Sequence, residues 1–219
     1  MTKKLFWEDP YLTEINTRIV SVAGNDITVE ETIFYPFAGA QEADDGTIEN
    51  HRVLKARKEG REIVYTLENG HGLKPKDQVN IKIDWDRRYK LMRLHFAAEI
   101  VLELVYQKLK FIKKIGAHIA QDKARIDFEW NGNISAVLTD IQNEALRFIE
   151  ADREIISAFS DEEAERRYWE IKDFARVSCG GTHLRKTGEI GKIELKRKNP
   201  GKGKERIEIY LIDEPVVTF

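Results

Sequence analysis

Two pairs of side chains in this sequence have the types and the spacing of metal ligands. The stretch "RLHFAAEIV" places His95 and Glu99 four residues apart, and "SCGGTH" does the same for Cys179 and His183. Residues at positions i and i+4 of a helix share one face, so His95 and Glu99 can converge on one ion. In the second pair, two intervening glycines permit a tight backbone that turns the thiolate and the imidazole toward the same point.

All four side chains together would offer two imidazole nitrogens, one carboxylate oxygen and one thiolate. This mixture suits zinc, whereas calcium and magnesium prefer sites made of oxygen alone. Each pair also has a simpler explanation. His95 and Glu99 can be a hydrogen-bonded pair on a helix surface, Cys179 can be a small buried residue, and His183 can have no role. The sequence therefore predicts one zinc ion on the condition that the two pairs meet.

The apolar pattern predicts the elements that must position these pairs. A period of about 3.6 residues predicts a helix from about Tyr89 to Lys110, which carries His95 and Glu99. Short alternating runs up to about residue 83 predict a small amino-terminal β-barrel or sandwich. Strands are also expected in "GAHIAQDKARIDFEW", in "FARVS" just before Cys179, and as a hairpin in "IGKIELKRKNPGKGKERIEIYLID".

Two more helices are predicted in the second half of the chain. One is expected within "TDIQNEALRFIEADREIISAF", and the other is "DEEAERRYWEI", where Ser160 and Glu163 have the spacing of a capping box. Helices and strands alternate without a strict βαβ rhythm, which indicates an α+β domain. We place the boundary near residues 84–86, so that residues 1–85 form the barrel domain and residues 86–219 form the α+β domain.

Composition bounds the class of protein. The chain has 219 residues, of which 42% are hydrophobic and 34% are charged, and no apolar run is long enough to span a bilayer. Its single cysteine excludes an internal disulfide and suits a reducing cytoplasm, and the amino end lacks the apolar stretch of a signal peptide. The sequence does not indicate an oligomeric state.

Basic residues are clustered although the formal net charge is only −2. The clusters lie in "DRRYKLMR", "KLKFIKK" and "LKRKNPGKGKER". If the three meet on one face, the protein offers a surface for phosphates, and a nucleic acid becomes a candidate partner. Each cluster taken alone can equally be a solvated face of a helix or hairpin.

Four motifs resemble one known family. The stretch "SCGGTHLRKTGEIG" resembles the "CGGTH…TGEIG" signature of the editing domain of alanyl-tRNA synthetases and of their free-standing relatives, the AlaX-type alanyl-tRNA editing proteins. The stretches "TIFYPFAGAQEADDGTI", "WDRRYKLMRLHFAAE" and "GAHIAQDKARIDF" resemble further motifs of that family in the same order. The resemblance covers nearly the whole chain. It implies a small amino-terminal β-barrel followed by an α+β editing domain like the threonyl/alanyl-tRNA synthetase second additional domain.

The resemblance also implies a ligand set and a reaction. In the family an HxxxH and a CxxxH motif together bind zinc, which assigns the metal to His95, Glu99, Cys179 and His183, with Glu99 where the family usually has histidine. The implied enzyme is a zinc-dependent hydrolase of the cytoplasm that cleaves the ester of mischarged alanine tRNA, with serine as the favoured amino acid and glycine as an alternative. Family positions assign substrate contacts to Gln41 and Phe96. Thr182 is a candidate for sensing a serine hydroxyl, and the alternative is a hydroxyl bonded within its own loop. Candidate contacts with tRNA phosphates are Arg93, Lys123, Lys196, Lys198, Lys202 and Lys204.

Departures from the family pattern leave two alternatives open. Glu99, Phe96 and the stretch "FAGAQ", which has alanine at two of the usual three glycines, are compatible with a non-catalytic, metal-structured tRNA-binding or adaptor protein of the same fold. Threonyl-tRNA synthetases carry a related domain without metal, so an editing domain with another amino-acid preference is also possible.

Overall fold

The chain folds into two compact units, residues 1–90 and residues 91–219. The computed structural model describes residues 1–212. None of the helices in this described part is long and apolar enough to span a membrane.

The first unit is built mainly from short strands. Its elements are β1 (Lys3–Lys4), α1 (Leu5–Glu8), β2 (Glu14–Ala23), β3 (Asp26–Val29), β4 (Glu31–Thr32), β5 (Gly46–Ile48), β6 (His51–Glu59), β7 (Glu62–Leu67) and β8 (Gln78–Ile83). Six strands close a barrel in the order β2-β3-β7-β6-β5-β8, and β1 pairs with β4 in parallel. Alternation explains the barrel core: in β8, Val79, Ile81 and Ile83 point inward and their neighbours do not.

One glycine of the "DDGTI" motif is explained by strand pairing in the barrel. Gly46 lies opposite Ile83 where β5 pairs with β8. A Cβ added at Gly46 would lie 2.2 Å from the backbone oxygen of Lys82, which no side chain tolerates. The motif therefore marks a close approach of two backbones.

A long helix, α2 (Trp85–Lys108), begins in the first unit and continues into the second. Asp84 caps it, because its Oδ1 accepts a hydrogen bond from the backbone N–H of Arg87 at 3.1 Å. The predicted helix from Tyr89 to Lys110 is thus confirmed, with its start one turn earlier. Nearly every side chain from 91 to 102 is buried, so this part of α2 is enclosed on all sides instead of presenting a single apolar stripe.

The second unit combines two helices with two antiparallel sheets. After α2 follow β9 (Lys113–Ile119), β10 (Ala124–Glu129), α3 (Ser135–Glu150), β11 (Ile156–Asp161), β12 (Arg166–Ile171), β13 (Ala175–Ser178), a 3-10 turn (Thr187–Ile190), β14 (Ile193–Gly201) and β15 (Lys204–Leu211). One sheet has the order β14-β15-β10-β9 and the other the order β11-β12-β13. This mixture of sheets and helices confirms the predicted α+β class. The predicted hairpin ends at Asp213, which lies outside the described residues.

The predicted third helix is wrong, because "DEEAERRYWEI" lies in the β11–β12 hairpin. Arg167, Trp169 and Ile171 of β12 are buried alternately, which is the period of a strand. The Ser160 hydroxyl donates to Arg166 O across the hairpin and therefore caps no helix. The charged run between the strands forms the turn, where Glu165 has a positive φ of 53°.

The second predicted helix is confirmed as α3 but ends earlier than its pattern suggests. It stops at Glu150, and Asp152 then takes a positive φ of 45°. The Thr187 hydroxyl donates to Phe148 O and accepts from the backbone N–H of Arg153. These bonds satisfy the end of the helix and turn the chain, so that Ile156 and Phe159 fall in β11 instead.

Candidate metal centre

Helix α2 and the loop after β13 bring three candidate ligands together. His95 lies on α2, and the backbone N–H of Cys179 donates to Arg167 O at 2.9 Å, which fixes the start of the loop. The Cys179 Sγ lies 3.4 Å from His95 Nε2 and 3.3 Å from His183 Nε2. All three candidate ligand atoms lie within 4.8 Å of one another. The predicted meeting of the helix with the glycine-containing loop is therefore observed.

Glu99 lies beside this group and is not one of the compact three. Its Oε1 lies 3.5 Å from His95 Nε2 and 4.0 Å from Cys179 Sγ. Its other oxygen, Oε2, accepts a hydrogen bond of 2.9 Å from Trp169 Nε1. The carboxylate is thus near enough to act as a fourth ligand after a small shift, and Trp169 holds it in place. Its role as a ligand stays a prediction.

Strand β11 orients one of the two imidazoles. Ser157 Oγ lies 2.8 Å from His183 Nδ1, which leaves Nε2 of that ring to face Cys179. A hydrogen bond to the distal nitrogen is the usual way in which a protein fixes the tautomer of a metal-binding histidine. His95 has no such bond, because its buried Nδ1 has no hydrogen-bond partner among the described residues. Packing and the contacts at Nε2 orient that ring.

The charges at the centre favour a cation. Burial alone would lower the pKa of His95, but the Cys179 thiolate and the Glu99 carboxylate outweigh it and raise this pKa to about 10. Burial, together with the positive charges of His95 and Arg167, holds the pKa of His183 well below its usual value. His183 is therefore neutral and offers a nitrogen lone pair, while the thiolate and the carboxylate accommodate one positive charge. A metal ion can supply that charge in place of the His95 proton.

The donor set fits zinc. Two imidazole nitrogens and one thiolate match the ligand types of zinc sites. They do not suit calcium or magnesium, which prefer sites made of oxygen alone. Three protein ligands with a carboxylate at the margin also match the pattern of catalytic sites, which keep one position open or weakly held.

Ser157 and Trp169 were missed by the sequence analysis because both lie in segments that it assigned to helix. The signal that could have revealed Trp169 is the alternation in "RRYWEI", since every second residue of a strand shares a face. Ser157 carries no comparable signal, because its role depends on pairing between β11 and β12.

Replacing Ser157 with alanine is expected to weaken zinc binding about 10- to 100-fold, because the His183 ring loses the partner that fixes its tautomer. Zinc affinity can be measured by competition with a chromophoric chelator. Ser160→Ala is the matched control on the same strand, since its hydroxyl bonds to the backbone of Arg166. Equal affinities for the two variants would show that the Ser157 contact does not orient the ligand.

The predicted substrate residues are all buried. Thr182 lies in the loop between Cys179 and His183 and is 1% exposed. The Phe96 ring packs at 5.3 Å from Trp169 and 5.7 Å from His183, so it forms part of the wall around the centre. Gln41 belongs to the first unit, where its backbone pairs with Ala38.

Arg93 is in a structural position and not at a surface for phosphates. Its side chain is 1% exposed, and its Nε donates to the backbone oxygen of Ile190 at 2.8 Å. Gly191 of the "TGEIG" segment has a positive φ of 72°, which favours glycine, and a Cβ there would also lie 2.7 Å from Arg93 Nη2. The predicted contact of Arg93 with tRNA is replaced by this role in anchoring the segment after the ligand loop.

The predicted lysines lie on the β14–β15 hairpin and beside it. Lys123 pairs with Glu208 at 2.8 Å, and Lys196 pairs with Glu194 at 3.0 Å. Lys198 is exposed near the end of β14. Lys202 and Lys204 lie at the hairpin tip and line a pocket of about 440 Å³. The lysines at the hairpin tip are therefore the more accessible candidates for an anionic partner.

The chain is similar in sequence to known proteins over nearly its whole length. The family model described as "Threonyl and Alanyl tRNA synthetase second additional domain" matches residues 170–208. Alanyl-tRNA editing protein AlaX-M of Pyrococcus horikoshii is 35% identical over 96% of this chain and 98% of its own length. AlaX-M of Saccharolobus solfataricus is 33% identical over 94% and 98% of the two chains. Alanine–tRNA ligase of Methanococcus aeolicus is 31% identical over 94% of this chain but only 25% of its own length.

Proposed function

The chain belongs to the AlaX-M family of alanyl-tRNA editing proteins, and we propose that it hydrolyses the ester of mischarged alanine tRNA in trans, with serine as the main amino acid removed. Glycine is the second candidate. A synthetase pocket sized for alanine discriminates poorly against amino acids that differ by one small group, because such a group contributes only about 1–3 kcal/mol. A separate hydrolytic site can correct the resulting errors.

The single observation that supports this function is the convergence of His95, Cys179 and His183 within 4.8 Å. A structural zinc site is normally closed by four strong protein ligands. Here the fourth candidate is Glu99, whose Oε2 accepts a hydrogen bond from Trp169 and whose Oε1 lies 4.0 Å from Cys179 Sγ. An incomplete set of this kind is what a site that handles substrate requires.

The reaction adds water across an ester, giving a free amino acid and the free 3′-terminal hydroxyl of the tRNA. We propose that His95 Nε2, Cys179 Sγ and His183 Nε2 hold one zinc ion, which when bound can polarise the ester carbonyl or orient the aminoacyl group. Phe96 and Trp169 form an apolar wall beside these ligands and exclude bulk water from them. Exclusion of water strengthens every electrostatic contact within the site.

Discrimination between serine and alanine needs a polar group that recognises the serine hydroxyl. Thr182 is our candidate, because it lies between Cys179 and His183 in the ligand loop and is almost fully buried. A site that forms a hydrogen bond with the serine hydroxyl favours serine over a substrate that lacks this hydroxyl. Phe96 is proposed to limit the room for longer amino-acid side chains, and the contact of Gln41 with substrate stays a prediction.

The tRNA is proposed to approach over the lysines of the β14–β15 hairpin, with Lys202 and Lys204 at its tip. Phosphate contacts of this kind supply affinity without sequence information. The assignment of residues 1–85 to a β-barrel domain and of residues 86–219 to a zinc-binding editing domain stays a prediction.

The function is tested by incubating the purified protein with alanine tRNA charged with serine, glycine or alanine and measuring the release of each amino acid. Serine is expected to be released fastest, and correctly charged alanine is expected to be preserved. If tRNA binds and none of the three esters is cleaved, the protein is the non-catalytic adaptor described above.

Replacement of Glu99 by alanine is expected to lower zinc affinity about tenfold, a smaller loss than removal of any of the three inner ligands. The physical reason is that Glu99 lies at the margin of the site and that one of its carboxylate oxygens accepts a hydrogen bond from Trp169. Chelator competition measures the effect, and Glu103→Ala, one helical turn further along α2, removes the same charge without removing a candidate ligand. Complete loss of zinc in Glu99→Ala would instead place Glu99 among the essential ligands.

A further inference from the structure

The turn between α2 and β9 exposes apolar side chains in the described part of the molecule. Phe111 is 97% exposed, Ile115 is 45% exposed and Tyr106 is 40% exposed. Phe111 also has a positive φ of 67°, a backbone conformation that bulky side chains rarely adopt. The exposure of the apolar ring and the positive φ both cost stability. Strain of this kind is often found at functional sites, so a function of this turn is expected.

Lysines surround these side chains. The turn, which we define as residues 106–115, carries four exposed lysines: Lys108, Lys110, Lys113 and Lys114. Lys108 pairs with Glu144 at 2.7 Å. Lys110 and Lys114 form no ion pair with any other residue in the range 1–212. Lys113 lies 3.6 Å from Glu129, but both side chains are more than 60% exposed, and such a pair contributes little and is screened by salt. The 106–115 turn is therefore a positively charged surface with an aromatic ring at its centre.

Sheet register places the 106–115 turn beside the hairpin tip. Lys113 at the start of β9 pairs with Glu129 of β10, which in turn pairs with Lys204 of β15. Ile115, Lys202 and Lys204 line the same pocket. The turn and the tip thus form one basic end of the four-stranded sheet.

Helix α2 connects the candidate metal centre to the 106–115 turn, because it carries His95 and Glu99 and ends at Lys108 within the turn. Glu99 and Tyr106 are seven residues apart on α2, which is about 10 Å along the helix axis. A chain that lies on the turn can therefore extend its end to the metal ligands.

We propose that the 106–115 turn binds the unpaired 3′-terminal nucleotides of the tRNA, with bases stacked on Phe111 and phosphates beside Lys110, Lys113 and Lys114. This inference rests on the proposed function. Proteins that bind single-stranded nucleic acid combine an aromatic stacking surface with a basic groove in the same way. The adjacent hairpin tip then meets the phosphates of the paired stem, and the terminal ester lies toward His95.

Single-stranded RNA is favoured over an apolar partner by the charges around the ring. Besides Lys108, which pairs with Glu144, the turn presents three exposed lysines next to its exposed hydrophobic side chains. The core of a protein–protein interface is depleted of lysine. The phosphates of RNA complement these charges, and every base has a face that can stack on an aromatic ring.

The test compares two RNA hairpins of the acceptor stem, one with its four unpaired 3′ nucleotides and one without them. Fluorescence anisotropy measures their Kd values for the full-length protein. Wild type is expected to bind the tailed RNA about tenfold more tightly than the blunt RNA, and Phe111→Ala is expected to remove most of this difference. Phe111→Tyr, which retains a stacking ring, is expected to preserve it. Leu54→Ala, a matched control at an exposed apolar position of β6, is expected to behave as wild type.

Salt dependence tests the lysines. Each of Lys110→Gln and Lys114→Gln is expected to reduce the slope of log K against log salt for the tailed RNA by about 0.7, the contribution of one phosphate contact to a single strand. Lys82→Gln, at an exposed position of β8, is the control and is expected to leave the slope unchanged.

The outcomes separate this inference from the proposed function. If wild type cleaves seryl-tRNA but Phe111→Ala binds tailed and blunt RNA as wild type does, the turn does not bind the terminal nucleotides and the hydrolase remains. If wild type cleaves no ester but discriminates tailed from blunt RNA through Phe111, the turn binds RNA and the proposed reaction is wrong. Sedimentation of the same samples tests whether the turn is instead a contact between two copies of the chain. That alternative would be supported if wild type is a dimer and Phe111→Ala is a monomer with unchanged RNA affinity.

Discussion

Replacement of Cys179 by alanine is expected to strip zinc from the protein and to lower the rate of seryl-tRNA deacylation by more than about 100-fold. The sulfur is the contact shared by both imidazoles, at 3.4 Å from His95 and 3.3 Å from His183, so its removal leaves two nitrogens with no anionic ligand of comparable strength between them. Loss of a residue that only supports a ligand costs about 10- to 100-fold in metal affinity or activity, and loss of a ligand itself costs more.

Elemental analysis and the deacylation assay on one preparation provide the measurement for Cys179→Ala. Ser178→Ala is the matched control, because it alters the adjacent side chain, whose hydroxyl donates to Arg167 O, and leaves every candidate ligand in place. Circular dichroism distinguishes loss of metal from loss of fold. A Cys179→Ala protein that keeps a full equivalent of zinc would refute the ligand set.

The part of the site that could be predicted from the sequence is the part that depends on local spacing. His95 and Glu99 share a face because helical geometry requires it, and Cys179 and His183 lie four residues apart in one loop. The structure shows no requirement for glycine at Gly180, because a Cβ there would meet no atom within 4 Å. The contact between these two pairs spans more than 80 residues of chain, and spacing alone does not establish it. The sequence supplied it only through the resemblance of the four motifs to a known family.

The supporting residues could not be predicted, because their roles depend on tertiary packing. Trp169 and Ser157 reach the centre through the β11–β12 hairpin, in a segment whose charges and capping pattern favour a helix in isolation. The sequence predicts Arg93 to be a basic surface residue. In the structure it lies in the buried middle of α2, where its guanidinium donates a hydrogen bond to the backbone oxygen of Ile190. Local propensity is a weak guide wherever tertiary contacts override it.

A buried ion pair in the first unit provides the largest expected effect on stability. Arg88 and Asp44 have fully buried side chains and form a two-bond pair, with Arg88 Nε at 2.8 Å from Asp44 Oδ1. Arg88 also donates to the backbone oxygens of Ile33 and Pro10, and Asp44 accepts from the backbone N–H of Tyr35 at 2.6 Å. The pair thus ties the first turn of α2 to the loop between β4 and β5, which carries Gln41.

Arg88→Ala is expected to lower the free energy of unfolding by about 3–5 kcal/mol, because it leaves the Asp44 carboxylate buried without its charge partner. Urea denaturation followed by tryptophan fluorescence measures the loss. Asp44→Ala is expected to cost a similar amount, and the double variant about as much as either single variant, since both remove the same interaction. Arg52→Ala, which breaks the exposed contact of Arg52 with Asp45, is the control and is expected to cost less than about 1 kcal/mol. If the losses of the two single variants add in the double variant, Arg88 and Asp44 stabilise the barrel independently, and the loop that carries Gln41 is not held by their pairing.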